Sequence, residues 1–135
     1  MGPEFEQAKA YQDKLGMEFL ELSGERVVAV MPVEGNTQPD GFLHGGATMS
    51  LVESCASIGA ALAAGWPDNL VVGQQQTCNF LSTATEGKVR AVAVPLHKGR
   101  TTHVWDVSVT RDGTDKLVAS GRVTLAVRPR RPDPA

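Results

Sequence analysis

Neither sign of charge is in excess. Thirteen Lys and Arg stand against fifteen Asp and Glu, leaving a formal charge of −2. That excludes the electrostatic footprint of a nucleic-acid binder, and no basic stripe interleaved with aromatics replaces it. Cysteine is scarce: Cys55 and Cys78 lie far apart and form no C-x-x-C pair. A disulfide framework is thereby excluded, and two small apolar thiols in a reducing compartment are expected. Cys55 is a weak candidate nucleophile, since no histidine stands at helical spacing from it. The three histidines, His44, His97 and His103, show no metal-ligand spacing with the cysteines or carboxylates, so no metal site is expected. No G-x-S-x-G occurs, and Ser120-Gly121 lacks the elbow pattern, which disfavours a Ser-His-Asp hydrolase. No secretory leader is visible. The one long apolar run, from His44, contains Glu53, serines and glycines and has no basic flank, so a membrane span is not expected either. These absences together point to a cytoplasmic protein.

What is present suits one domain over residues 1–135, 41% hydrophobic and 21% charged. Residues 4–15 read as a short amphipathic helix ending near Gly16; Met1 to Phe5 is read as partly a cloning scar. Residues 17–32 split into two strands around Ser23-Gly24, the second stopped by Pro32. Residues 34–42, rich in Gly, Asn, Pro and Asp, form a loop. A helix is expected from about Gly45 to about Ala64, ended by Gly65-Trp66-Pro67-Asp68. Strands follow at 71–81, 88–97, 101–111 and 116–127, with clear alternation of Thr102, Val104, Asp106 and Ser108 against His103, Trp105, Val107 and Val109. Residues 128–135 read as a tail whose arginines are solvated. Hairpin-like connections and one mostly apolar helix predict an α+β fold: an antiparallel sheet curved around a single long central helix.

Glu53 is the only charged side chain between Gly45 and Gly65. In a helix that reads as buried all round, a lone carboxylate is costly unless something compensates it. At 3.6 residues per turn Gly46, Ser50, Glu53 and Ser57 share one face, while Ala47, Leu51, Cys55, Ile58 and Leu62 form the core stripe. Ser57 can hydrogen-bond the carboxylate or position a water. Chemistry at Glu53 and a structural ion pair with a distant arginine are about equally supported by this pattern. The start of the helix adds a second element. First-turn amides have no intrahelical partner and carry the positive end of the dipole, and Gly45 and Gly46 place no side chain over them. An amide there can polarise a carbonyl oxygen, with Gln38 adding its side-chain amide; a tight loop-to-helix corner explains the same glycines. Gly45 and Glu53 are eight residues apart, about 12 Å along the axis. A base or nucleophile works at roughly 3 Å from its target. If both act on one carbonyl they belong to different chains, which predicts an obligate homodimer with antiparallel central helices and two sites across a two-fold axis.

Gln38, His44-Gly45-Gly46 and Glu53, in this order and spacing, resemble the hotdog-fold acyl-CoA thioesterases, in particular the 4-hydroxybenzoyl-CoA thioesterase type with a glutamate on the central helix and the branch of the enterobactin proofreading thioesterase. The resemblance runs from about Val28 to Arg131. It includes Val72-Gly73-Gln74, Glu86-Gly87-Lys88-Val89-Arg90, Gly99-Arg100-Thr101-Thr102, Trp105-Asp106-Val107 and the closing Ala126 to Arg131. It implies hydrolysis of a small, aromatic acyl-CoA. The Gly45 amide polarises the thioester carbonyl, assisted by Gln38. His44 orients the loop, and Glu53 of the other subunit attacks the carbonyl or activates water. Ser57 contacts the acyl group or the water. Gly46, Arg100, Thr101, Thr102, Arg128 and Arg131 are implied contacts for the substrate, the last five for the CoA phosphates. CoA is part of the substrate and no cofactor is implied; a homotetramer, as a dimer of dimers, is. Two alternatives on the same scaffold are a dehydratase recruiting His44 and a non-catalytic module binding acyl-CoA or an acyl carrier.

Overall fold

The computed structural model describes residues 9–132. Residues 4–8 of the helix expected over 4–15, and all of the Met1 to Phe5 segment, lie outside them. Within them the elements are α1 (Ala10–Lys14), β1 (Glu18–Leu22), β2 (Val27–Pro32), α2 (Gly45–Ala63), β3 (Asn69–Phe80), β4 (Lys88–Lys98), β5 (Thr102–Arg111) and β6 (Leu117–Pro129). The six strands form one antiparallel sheet in the order β1-β2-β4-β5-β6-β3. After β2 the chain passes through α2 across the sheet, lays β3 on the far edge, and returns to place β4 beside β2. The sheet curves around the helix in the hotdog arrangement.

Period-two patterning builds the inner face. Val89, Ala91 and Ala93 of β4, Trp105, Val107 and Val109 of β5, and Ala119, Val123 and Leu125 of β6 are all buried. Against them α2 places Ala47, Leu51, Val52, Cys55, Ala56, Ile58 and Ala60. The helix is long and apolar enough by composition to cross a membrane, but here its apolar residues face strands of its own sheet. The buried surface is wider than the stripe the sequence suggests, taking in Thr48, Val52, Ser54 and Gly59, while Leu62 is only partly covered.

Close approach at two glycines lets the helix settle. Gly121 of β6 lies against Val52, and Gly59 of α2 lies on the Trp105 ring, where an added Cβ would sit 2.5 Å from Cη2. Trp105 is fully buried and has no room to withdraw. Gly59→Ala is therefore expected to lose stability although alanine is the better helix former. Overpacking costs about 3 kcal/mol at its upper range and the propensity gain returns about 1, leaving a net loss of about 2 kcal/mol in urea unfolding.

Two differences from the sequence expectation bear on the site. Arg128 and Pro129 are not tail: they close β6, paired with Leu70 and Asn69 of β3. Their order comes from a ladder with a strand sixty residues earlier, which local pattern does not reveal. The second difference is that α2 is not buried all round. The sheet leaves one face open, on which Gly46 and Glu53 are exposed and Gly45, Ser50 and Ser57 half-buried. The free edge of β3 runs beside that face, and Leu70, Val72 and Phe80 of β3 are exposed. Among the described residues β3 pairs with β6 alone.

Candidate active site

The N-terminus of α2 is built around one histidine. His44 is the N-cap, in extended conformation, and its Nδ1 accepts a hydrogen bond from the Gly46 amide at 2.8 Å. Any Cβ at Gly46 would lie 2.9 Å from that nitrogen, so the cap needs glycine there. The cap has a consequence for the amides expected to be free. The Gly46 N–H is held by His44 rather than free. The His44 carbonyl accepts from Thr48. The Gly45 N–H has no acceptor among the described residues and stands at the positive end of the dipole.

Gln38 sits in the preceding loop. Its backbone N–H donates to Phe42 O and its carbonyl accepts from Gly41, which ties the loop into a tight turn. Its side-chain Oε1 accepts from the Asp40 amide. That contact turns the amide so that its Nε2 hydrogens, the end able to donate to a carbonyl, remain available. Beside Gly45 an apolar pocket of about 390 Å³ opens, lined among others by Phe42, Leu43, Phe80 and Val118. Phe80 lies close over Gly45, its Cζ 3.2 Å from where a Cβ would be.

Glu53 is exposed rather than buried. It lies two turns along α2, about 12 Å from Gly45, in a separate small pocket lined by Gly73, Gln74, Gln75, Gln76 and Val123. Gln76 Nε2 donates to its Oε2 at 3.5 Å. No arginine or lysine pairs with it among the described residues, so the structural ion pair is absent there. Ser57 follows one turn later on the same face. Ser50, between the two elements, donates to Gly46 O at 2.9 Å and exchanges a hydrogen bond with Tyr11 of α1 at 2.8 Å. Cys55, by contrast, is wholly buried, and desolvation pushes its thiol up to about 12, which removes it as a nucleophile. Among the described residues no group of three His, Cys, Asp or Glu side chains is placed to hold a metal ion.

At the other end of α2 a cleft of about 870 Å³ runs between Ala63-Ala64, the β4–β5 turn and the end of β6. It gathers Arg100, Thr101 and Arg128, as expected, and adds Lys98, His103 and Asn69, which the sequence reading did not single out. Thr102, at the start of β5, and Arg131, exposed beyond β6, are not in its lining. Arg128 donates to the Thr101 and Val127 carbonyls, which holds its guanidinium at the rim. Lys98 pairs with Glu25. His103 is buried, and desolvation, with Lys98 and His97 nearby, holds its pKa below the usual histidine value, against the opposing pull of the Gly99 backbone. It is a neutral wall of the cleft; the positive charge comes from the lysine and arginines.

Comparison with known proteins places these features in a wider set. The family described as Thioesterase superfamily matches residues 40–118. A 1,4-dihydroxy-2-naphthoyl-CoA hydrolase of Listeria monocytogenes is 39% identical over 121 residues, covering 89% of this chain and 97% of its own. Among solved structures, the thioesterase HI1161 of Haemophilus influenzae superposes with a TM-score of 0.88 at 29% identity, covering 100% of this chain and 96% of its own. A mutant of the thioesterase PA1618 of Pseudomonas aeruginosa superposes with a TM-score of 0.87 at 37% identity, covering 94% and 91%.

Proposed function

This chain belongs to the thioesterase superfamily, and from that premise we propose that it hydrolyses a small aromatic acyl-CoA to the free acid and CoA, in a site shared by two copies of the chain. The uncapped Gly45 amide supports this most. A helix that spends the N–H of Gly46 on its own cap and leaves that of Gly45 open presents one oriented donor to a carbonyl oxygen. Glu53, the one carboxylate on α2, cannot reach that carbonyl from the same chain across about 12 Å. Two antiparallel copies of α2, joined along their open faces and the free edges of β3, bring the carboxylate of one to the amide of the other. Pairing of two such dimers into a tetramer completes the proposed assembly.

In this site Gly45 N–H, with Gln38 Nε2 beside it, stabilises the negative oxygen that forms as the carbonyl carbon becomes tetrahedral. Glu53 takes a proton from water as the new C–O bond forms, or forms that bond itself. The C–S bond then breaks and the thiolate leaves, taking up a proton as CoA; on the second route water next cleaves the acyl–Glu53 anhydride, which releases the free acid and restores the carboxylate. Ser57 holds the water or acyl group near Glu53. Neither route uses a cofactor. The apolar pocket beside Gly45 falls in the range of small-ligand sites and suits a ring; a relative's naphthoyl-CoA activity agrees with an aromatic acyl group. The basic cleft is about 15 Å from Glu53 along α2, a span that suits a long arm between a phosphate-bearing head and a thioester.

The test is free-thiol release from a panel of aromatic and aliphatic acyl-CoAs. Release fastest with aromatic acyl groups is expected; binding of the panel without any release would establish a binding module instead. Within the same assay Arg100→Ala is expected to raise KM about fivefold with kcat unchanged, and the effect should shrink at high salt, as for an exposed charge contact.

A further inference from the structure

Three glutamines in a row, Gln74-Gln75-Gln76, follow Gly73 on β3. The β3–β6 register slips between Gly73 and Gln75, so an extra residue is inserted at that point. Beyond this bulge Gln76 is half-buried while Gln74 and Gln75 are exposed. Two things then meet Glu53. Gln76 Nε2 stands 3.5 Å from Oε2. Gly73, with no side chain, makes room for the other oxygen: a Cβ there would lie 2.9 Å from Oε1. The price of the arrangement is visible at the other end of the amide, where Gln76 Oε1 is buried with no hydrogen-bond partner. An apolar side chain of the same length would avoid that cost, and a position that keeps an unsatisfied polar atom usually serves a site. Val123 of β6 supplies the remaining wall and carries no charge. The neighbouring Arg122 is turned to the outer face, bound to Asp106 through Nε at 2.6 Å. Within this pocket the amide of Gln76 is the sole donor to the carboxylate among the described residues.

We infer that Gln76 is a positioning residue for Glu53. It holds Oε2 through a donor that cannot accept a proton, and Gly73 leaves Oε1 as the reacting oxygen. This rests on the reading of Glu53 as the reacting carboxylate. An amide donor fixes the rotamer of the carboxylate, so its contribution belongs to the chemical step rather than to binding.

Gln76→Met keeps length and volume but removes both the donor and the orphaned acceptor. Its melting temperature is expected to equal or exceed that of the wild type, while kcat falls about tenfold and KM stays within about threefold. Gln76→Glu, of the same shape with a like charge toward Glu53, is expected to be slower still. In the Glu53→Gln background, adding Gln76→Met is expected to change nothing, because the group it positions is gone. Wild-type kcat in Gln76→Met overturns the inference. So does a lowered melting temperature that accompanies the lost rate, or a further loss in the double variant. Absence of thiol release by the wild type, or full activity of Glu53→Gln, overturns the hydrolase reading itself and this one with it, and is read in separate samples.

Discussion

Glu53→Gln is expected to lower thiol release by about three to four orders of magnitude, the upper range for removing a positioned general base. The substitution keeps the shape of the side chain and can still meet Gly73 and Gln76, so folding is unaffected. It cannot take a proton from water or form an acyl-enzyme bond. Because Glu53 is exposed in the protomer and has no cationic partner among the described residues, Glu53→Gln breaks no ion pair that the fold depends on, and lost rate reads directly as lost chemistry. Single turnover in isotopically labelled water then tests for an acyl-enzyme bond in the native enzyme: label carried into the Glu53 carboxylate requires one, and label found only in the product does not. Retention of more than a few per cent of the native rate by Glu53→Gln would remove Glu53 from the reaction.

Gly45→Pro is expected to cost at least about 10²–10³-fold in kcat, the effect of deleting one oxyanion donor. Few helical positions allow an amide to be deleted so cleanly. Gly45 is the first helical residue after the His44 cap, where proline is at home because its missing N–H has no intrahelical acceptor. His44, at φ −66° and ψ 132°, already has the extended backbone that a following proline demands. The atoms nearest to a Cβ added there belong to Phe80, which is 53% exposed and free to shift. Gly45→Ala, which adds the same crowding but keeps the N–H, is the control and should retain most of the rate. The two variants together also test the shared site. Glu53→Gln and Gly45→Pro, each inactive alone, are expected to recover roughly a quarter of native activity after unfolding and refolding together, since half of randomly paired dimers then hold one intact site. No recovery would place both groups in one chain's site, against the geometry of α2.

The sheet and its helix were legible because period-two and period-3.6 patterns survive in single residues: His103, Trp105, Val107 and Val109 alternate against polar neighbours and all four are buried. Glu53 and Gly45 are legible as candidates because each stands out from its surroundings. The exposure of Glu53 is not legible, for a physical reason: a sheet of six strands covers only part of a helix, and composition cannot say which side stays open. Arg128 read as tail because a strand end held by long-range pairing with β3 has no local signature. Gln76 was missed because three identical residues give no contrast; only the bulge before it decides which one turns inward, and bulges are not written in hydrophobic pattern. The acceptance of the Gly46 amide by His44 is likewise not legible, because it depends on the rotamer of a side chain at the helix cap.

The outer margin of β3 has a consequence beyond catalysis. Asn69–Phe80 contains no lysine, no acid and no proline, the residues with which exposed strand margins ordinarily repel strangers. The slip near Gly73 is its one irregularity. Left uncovered, such a margin is a sticky seam to which a further strand can add. Self-association would then guard solubility as well as activity, and mutations that loosen it should show first as precipitation on the bench.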